Sequence, residues 1–128
     1  MTNGAVMTKR VLVADDDAVL RTSVVAILRT CGYATSEAGD GEATLARLAE
    51  QPVDVLVLDL RMPKKTGSEV LAELSHPPVV IVVSAYAPDK ELLDQVGDKI
   101  FRYLRKPVPP AKLLEVVEEA LAHAGGTI

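Results

Sequence analysis

The sequence predicts an α/β fold: an open parallel sheet with helices packed on both faces. Three observations carry this. Short runs rich in Val and Leu alternate with helical patterns, and the strand-then-helix order repeats five times. Three of the runs are almost unbroken apolar stretches, as expected of strands covered on both faces. Each is followed by apolar residues at helical spacing. Right-handed crossovers then place the helices on both sides of one sheet. With 128 residues the chain suits one domain with a core of its own.

The first strand is expected over residues 10–14, ending in "VLVADDD". The following helix has Leu20, Val24, Ile27, Leu28 and Cys31 on one face, is capped by Asp17, and stops at Gly32. The second strand, 34–38, carries "TSEA" and is polar enough to be an edge. Asp40 caps the second helix, with Leu45, Leu48 and Ala49 turned inward. The third strand, 53–58, leads to a helix marked by Val70, Leu71 and Leu74. The fourth strand, 79–84, leads to "PDKELLDQV", which Pro88 opens and Gly97 ends. A weak fifth strand over 102–104 precedes a last helix with an apolar stripe of Leu113, Leu114, Val117 and Leu121. Residues 1–8 and 125–128 are expected to be flexible ends around a domain of residues 9–124.

Composition narrows the function. Aromatics make up 3% of the chain, so the core is aliphatic. A net charge of -4 argues against direct nucleic-acid binding, which would want a basic face. The single cysteine, Cys31, rules out an internal disulfide and reads as a small apolar residue near a helix end. The first residues contain no apolar core of a signal peptide, and no stretch is long enough to span a bilayer, so a cytoplasmic protein without a membrane partner is expected. His76 and His123 have no partner at metal-ligand spacing, and no catalytic histidine is assigned.

Ligands of such sheets sit beyond the carboxyl ends of the strands. Those ends carry Asp15 and Asp16, Asp59, Ser84 and Lys106, which converge at one rim. Three carboxylates so placed oppose one another's ionisation unless a cation lies between them. Magnesium, a hard cation that keeps several waters, needs only two or three acids. Asp59 is then a nucleophile able to take a phosphoryl group as an aspartyl phosphate, with Ser84 donating to a phosphoryl oxygen and Lys106 adding a positive charge. Alone, each has a plainer reading: a solvated acidic turn, a helix cap, a turn serine, a surface lysine.

Taken together, the acidic pair Asp15–Asp16, "DLRMPKKTG" from Asp59 to Gly67, "VVSA" ending in Ser84 and Ala85, and "YLRKP" from Tyr103 to Pro107 resemble the receiver domains of two-component response regulators. The resemblance covers nearly the whole chain. It implies a flavodoxin-like (βα)5 fold with strand order 2-1-3-4-5. It implies that Asp59 is phosphorylated by a sensor histidine kinase or phosphotransfer protein. Asp16, Asp59 and the backbone carbonyl of Arg61 would bind Mg2+, with Asp15 acting through a metal-bound water. Lys106 would contact the phosphoryl group, and Lys106–Pro107 would be cis. Ser84 and Tyr103 would be the switch that reshapes the face of the fourth helix, fifth strand and fifth helix for an output domain or partner, and a homodimer is compatible with it. Such a domain assists its own phosphorylation and dephosphorylation and is not otherwise an enzyme.

"GDKIFRYLRKP" departs from the commoner pattern, in which small residues precede the fifth strand, and resembles receivers attached to HD-type phosphodiesterase or PAS modules. Arg61 and Tyr86, two places after Asp59 and Ser84, are expected to crowd the attacking water and lengthen the phosphorylated lifetime. The rival reading is a haloacid-dehalogenase-like phosphatase with Asp15 as nucleophile and Asp17 as general acid and base. A further rival is a phosphorylation-independent scaffold on the same fold.

Overall fold

The five expected strands form one parallel sheet in the order β2-β1-β3-β4-β5. The strands are β1 (Arg10–Ala14), β2 (Ala34–Ala38), β3 (Val55–Leu58), β4 (Val79–Ser84) and β5 (Arg102–Arg105). The helices are α1 (Ala18–Thr30), α2 (Gly41–Glu50), α3 (Gly67–Glu73), α4 (Lys90–Val96) and α5 (Pro110–Gly125), with a 3-10 turn over Gly97–Lys99. This computed structural model describes residues 8–125. The expected flexible ends therefore lie largely outside the described residues, and α5 continues to Gly125, one residue past the anticipated boundary.

Strand burial follows sheet position. All four residues of the inner strand β3 are buried, while the outer strand β2 is half-buried over most of its length, as its polar residues require. Alternation along the strands sorts the core into two layers. Val11, Val13, Val55, Val57, Ile81 and Val83 meet α1 and α5. Leu12, Leu56, Leu58, Val80 and Val82 face the other way, with Leu71, Leu92 and Val96 packed against them.

Local signals set the helix starts. Asp17 accepts hydrogen bonds from the N–H groups of Val19 and Leu20, both at 3.1 Å. Asp40 caps α2 through Ala43 at 2.7 Å. Thr66 and Glu69 exchange a capping box at α3, so Asp59 is not that helix's cap.

Several expectations need correction. Asp89, rather than Pro88, is the N-cap of α4; its carboxylate takes the Leu92 N–H at 2.8 Å, a bond a proline could not offer. Gly97 does end α4, as expected, in a right-handed conformation with φ -59° that runs on into the 3-10 turn. Val53 precedes β3 instead of belonging to it. Ala49 faces solvent, and Gly41 and Thr44 are the buried residues of α2. Thr44 tolerates burial because its hydroxyl donates to Asp40 O at 2.7 Å. Cys31 is exposed as the C-cap of α1, and Val25 takes the inward place beside Leu28.

Candidate functional site

The register of the sheet brings the strand ends level. Asp15 N donates to Ala38 O at 3.0 Å and Asp59 N to Ala14 O at 2.9 Å, each extending the ladder one residue beyond its strand. Lys106 N donates to Ser84 O at 2.7 Å on the far side. Asp15, Asp59 and Ser84 are all buried at this rim, and Asp16 is exposed beside them.

Asp15, Asp16 and Asp59 each present a carboxylate oxygen within 4.8 Å of the others. Lys106 reaches across the rim, its Nζ 3.0 Å from Asp15 Oδ2 and 3.3 Å from Asp59 Oδ2. The remaining oxygens are held by the backbone. Asp17 N donates to Asp15 Oδ1 at 2.9 Å and Arg61 N to Asp59 Oδ1 at 3.1 Å. Burial raises the Asp59 pKa above the usual carboxylate value, and the neighbouring Asp15 charge adds to it against the Arg61 N–H and Lys106. Burial pulls Lys106 downward, but its bond to Asp15 and the two carboxylate charges outweigh this and leave it above the ordinary lysine value. An all-oxygen set of three acids with one lysine suits a hard divalent cation.

Close backbone packing fixes Asp59. A Cβ on Gly67 would lie 2.5 Å from Asp59 O and 2.8 Å from Leu60 Cα, so the loop after β3 can pass under α3 only over a glycine. Lys64, in the same loop, takes a left-handed φ of 71°. The Lys106–Pro107 bond is cis.

Ser84 and Tyr103 are placed differently from the charged groups. Ser84 Oγ accepts the Tyr86 N–H at 3.2 Å and so is tied to its own loop. Tyr103, half-buried, donates its hydroxyl to Tyr86 O at 2.8 Å. Arg61 turns its guanidinium over the Tyr86 ring, 4.0 Å from the centroid, so the two large residues expected near the site form one stacked unit. Asp17 is spent on capping α1, which leaves the dehalogenase-like reading without its general acid and base.

Sequence reasoning missed Arg21. It donates to Asp15 O at 2.7 Å and pairs with Glu37 at 2.9 Å, bracing the acidic loop from α1. The available signal was a charged residue lodged between the apolar positions Leu20 and Val24.

The family model of the response regulator receiver domain matches residues 11–118. The chain belongs to that family. Response regulator RR06 of Streptococcus pneumoniae is 41% identical over 90 residues, covering 69% of this chain and 41% of that protein. Transcriptional regulatory protein ZraR of Klebsiella oxytoca is 33% identical over 116 residues, 88% of this chain and 26% of its own. Among solved structures, a CheY-like receiver domain from Methanospirillum hungatei superposes with a TM-score of 0.86 at 28% identity, over 94% of this chain and 98% of that one. Chemotaxis response regulator CheY4 of Vibrio cholerae gives 0.80 at 26% identity, covering 90% and 100%. The chain thus matches whole receiver domains, while it spans under half of RR06 and about a quarter of ZraR. This receiver domain has the expected flavodoxin-like fold and strand order. Neither the phosphatase nor the scaffold reading is favoured by these likenesses. Among the described residues, no helix is long and apolar enough to cross a membrane.

Proposed function

We propose that this receiver domain takes a phosphoryl group onto Asp59 from the phosphohistidine of a sensor kinase or phosphotransfer protein. The observation that carries the reading is the gathering of Asp15, Asp16 and Asp59 at the strand ends, with the Lys106 ammonium bridging Asp15 and Asp59. An Asp59 oxygen bonds to phosphorus as the P–N bond to the donor histidine breaks, and the electron pair returns to that nitrogen. Arg61 N holds Oδ1 and so orients the carboxylate. Lys106 supplies a fixed positive charge for the incoming oxygens. Asp15, Asp16 and Asp59, with the Arg61 carbonyl, would hold Mg2+, which when bound neutralises the acids and the phosphoryl oxygens.

The switch follows from the hydrogen bonds around Ser84. When the Ser84 hydroxyl turns to donate to a phosphoryl oxygen, it gives up the Tyr86 N–H, and the loop that holds Tyr103 is freed to move. Tyr103 then turns inward and alters the face made by α4, β5 and α5, which an output domain or partner reads. The protein turns over no other substrate, and it works in the cytoplasm.

The test is phosphotransfer from a histidine kinase, or from acetyl phosphate, with and without Mg2+. Labelling should require the cation and vanish in Asp59→Asn. Full labelling with a chelator present, or in Asp59→Asn, would overturn the reading.

A further inference from the structure

A crevice of about 460 Å3 opens between α1 and α5, with Asp15, Asp59 and Lys106 at its rim, and the reactions above make no use of its apolar part. Its floor is the sheet. On this face the deeper residues Val11, Val55 and Ile81 are fully sealed at 0% exposure, whereas Val13, Val57 and Val83, two residues nearer the strand ends, are open at 2%, 5% and 7%. On the opposite face Leu12, Leu56, Leu58, Val80 and Val82 are all at 0%. Among the β1, β3 and β4 residues of this layer, exposure thus rises toward the strand ends, where the crevice lies. Leu20 and Val24 of α1 and Leu113 of α5 form the walls. The volume falls within the range of small-molecule sites, and the lining is mostly apolar.

The polar groups at its mouth decide what fits. They are Asp15, Asp59, Lys106 and Arg21, two acids and two bases. Each base is already paired: Lys106 with both carboxylates, Arg21 with Glu37 and with Asp15 O. A charged ligand seated among the apolar walls would give up its hydration and find no unpaired charge there to replace it. A neutral molecule need only displace water from apolar walls.

We propose that this crevice binds a neutral, largely apolar small molecule between α1, α5 and the sheet. An occupant there lies against Asp59 and Lys106 and slows phosphoryl uptake. That consequence rests on Asp59 being the phosphoacceptor; the binding itself does not.

The experiment is a titration of the 13C-methyl-labelled protein with indole, and in parallel with benzylammonium and benzoate as charged probes. Indole should shift the methyls of Val13, Val57, Val83 and Leu113, leave those of Leu12, Leu56 and Val80 in place, and bind with a Kd on the order of 1 mM. The charged probes should bind about tenfold more weakly or not at all. Val24→Phe, which fills the crevice from α1, should abolish the shifts. Absence of shifts in the wild type at the solubility limit of indole, shifts on the opposite sheet face, or tighter binding of a charged probe would each overturn the proposal. Acetyl phosphate labelling at saturating indole should slow severalfold. Binding without slowing overturns the inhibitory consequence alone, and no labelling even without indole overturns the phosphoacceptor reading instead.

Discussion

Replacing Gly67 by alanine should damage both stability and chemistry, because one backbone contact serves both. The new Cβ would stand 2.5 Å from Asp59 O, where 3.4 Å is the near limit of ordinary contact, so α3 and the β3 loop must separate by roughly 0.9 Å. The Gly67 N–H to Leu60 O bond, now 2.8 Å, stretches with them. Overpacking of this kind costs about 1–3 kcal/mol, and a weakened hydrogen bond adds up to about 1 kcal/mol. Alanine's better helix propensity returns under about 1 kcal/mol. The net is about 2 kcal/mol, or roughly 6–10 °C in Tm for a domain of this size. Since the struck atom is Asp59's own carbonyl, the carboxylate shifts too, and phosphorylation should slow at least about tenfold. Gly97→Ala is the control: its Cβ would meet nothing nearer than 3.6 Å, at a φ of -59°. Thermal unfolding by circular dichroism and labelling by acetyl phosphate read the two effects. If Gly67→Ala and Gly97→Ala melt together and label at the wild-type rate, the glycine contact does not hold Asp59 as described.

Three further outcomes follow from the same geometry. In metal-free protein Asp59→Asn should raise the Tm, since burial and the Asp15 charge oppose ionisation of Asp59 more than the Arg61 N–H and Lys106 favour it; added Mg2+ should stabilise the wild type and leave the variant nearly unmoved in the same melts. The Glu69 carboxylate is held below its ordinary value of 4.5 by the Thr66 N–H, so its folded pKa is depressed. The capping box therefore stabilises above pH 4.5 and fades as pH falls through the lowered value, and the Tm gap between wild type and Glu69→Ala should narrow on acidification. Alanine at both Arg61 and Tyr86 removes the stack over the loop and should speed loss of the phosphoryl group severalfold; an unchanged decay rate would show that the stack does not screen water.

The sequence made the layout of the fold legible because apolar runs and their following helices each carry a strong periodic signal. Strand order came through resemblance, since periodicity says which faces are buried but not which strands adjoin. The acidic cluster and Lys106 were legible because strand-end position alone brings them together: the three carboxylates lie within reach of one another, and Lys106 bridges Asp15 and Asp59. What stayed hidden depends on contacts across the fold. Thr44 looks like a surface residue until its hydroxyl is seen returning to Asp40 O. Lys99 gives no hint in sequence that it spans to the Leu71 and Leu74 carbonyls at 2.8 and 2.9 Å, closing the end of α3 from beyond α4. The Arg61–Tyr86 stack joins two loops 25 residues apart in the chain, and nothing local announces it. Pro88 misled because proline and the true cap, Asp89, are adjacent, and only the hydrogen bond to Leu92 N separates them.

The central claim is that one acid of the cluster, Asp59, captures the phosphoryl group while its neighbours hold the cation. The most direct measurement is to phosphorylate the domain in Mg2+, trap the acyl phosphate by borohydride reduction, and locate the altered residue by peptide mass spectrometry. Modification is expected at Asp59 and at neither Asp15 nor Asp16; a trapped residue at Asp15 instead would contradict the claim.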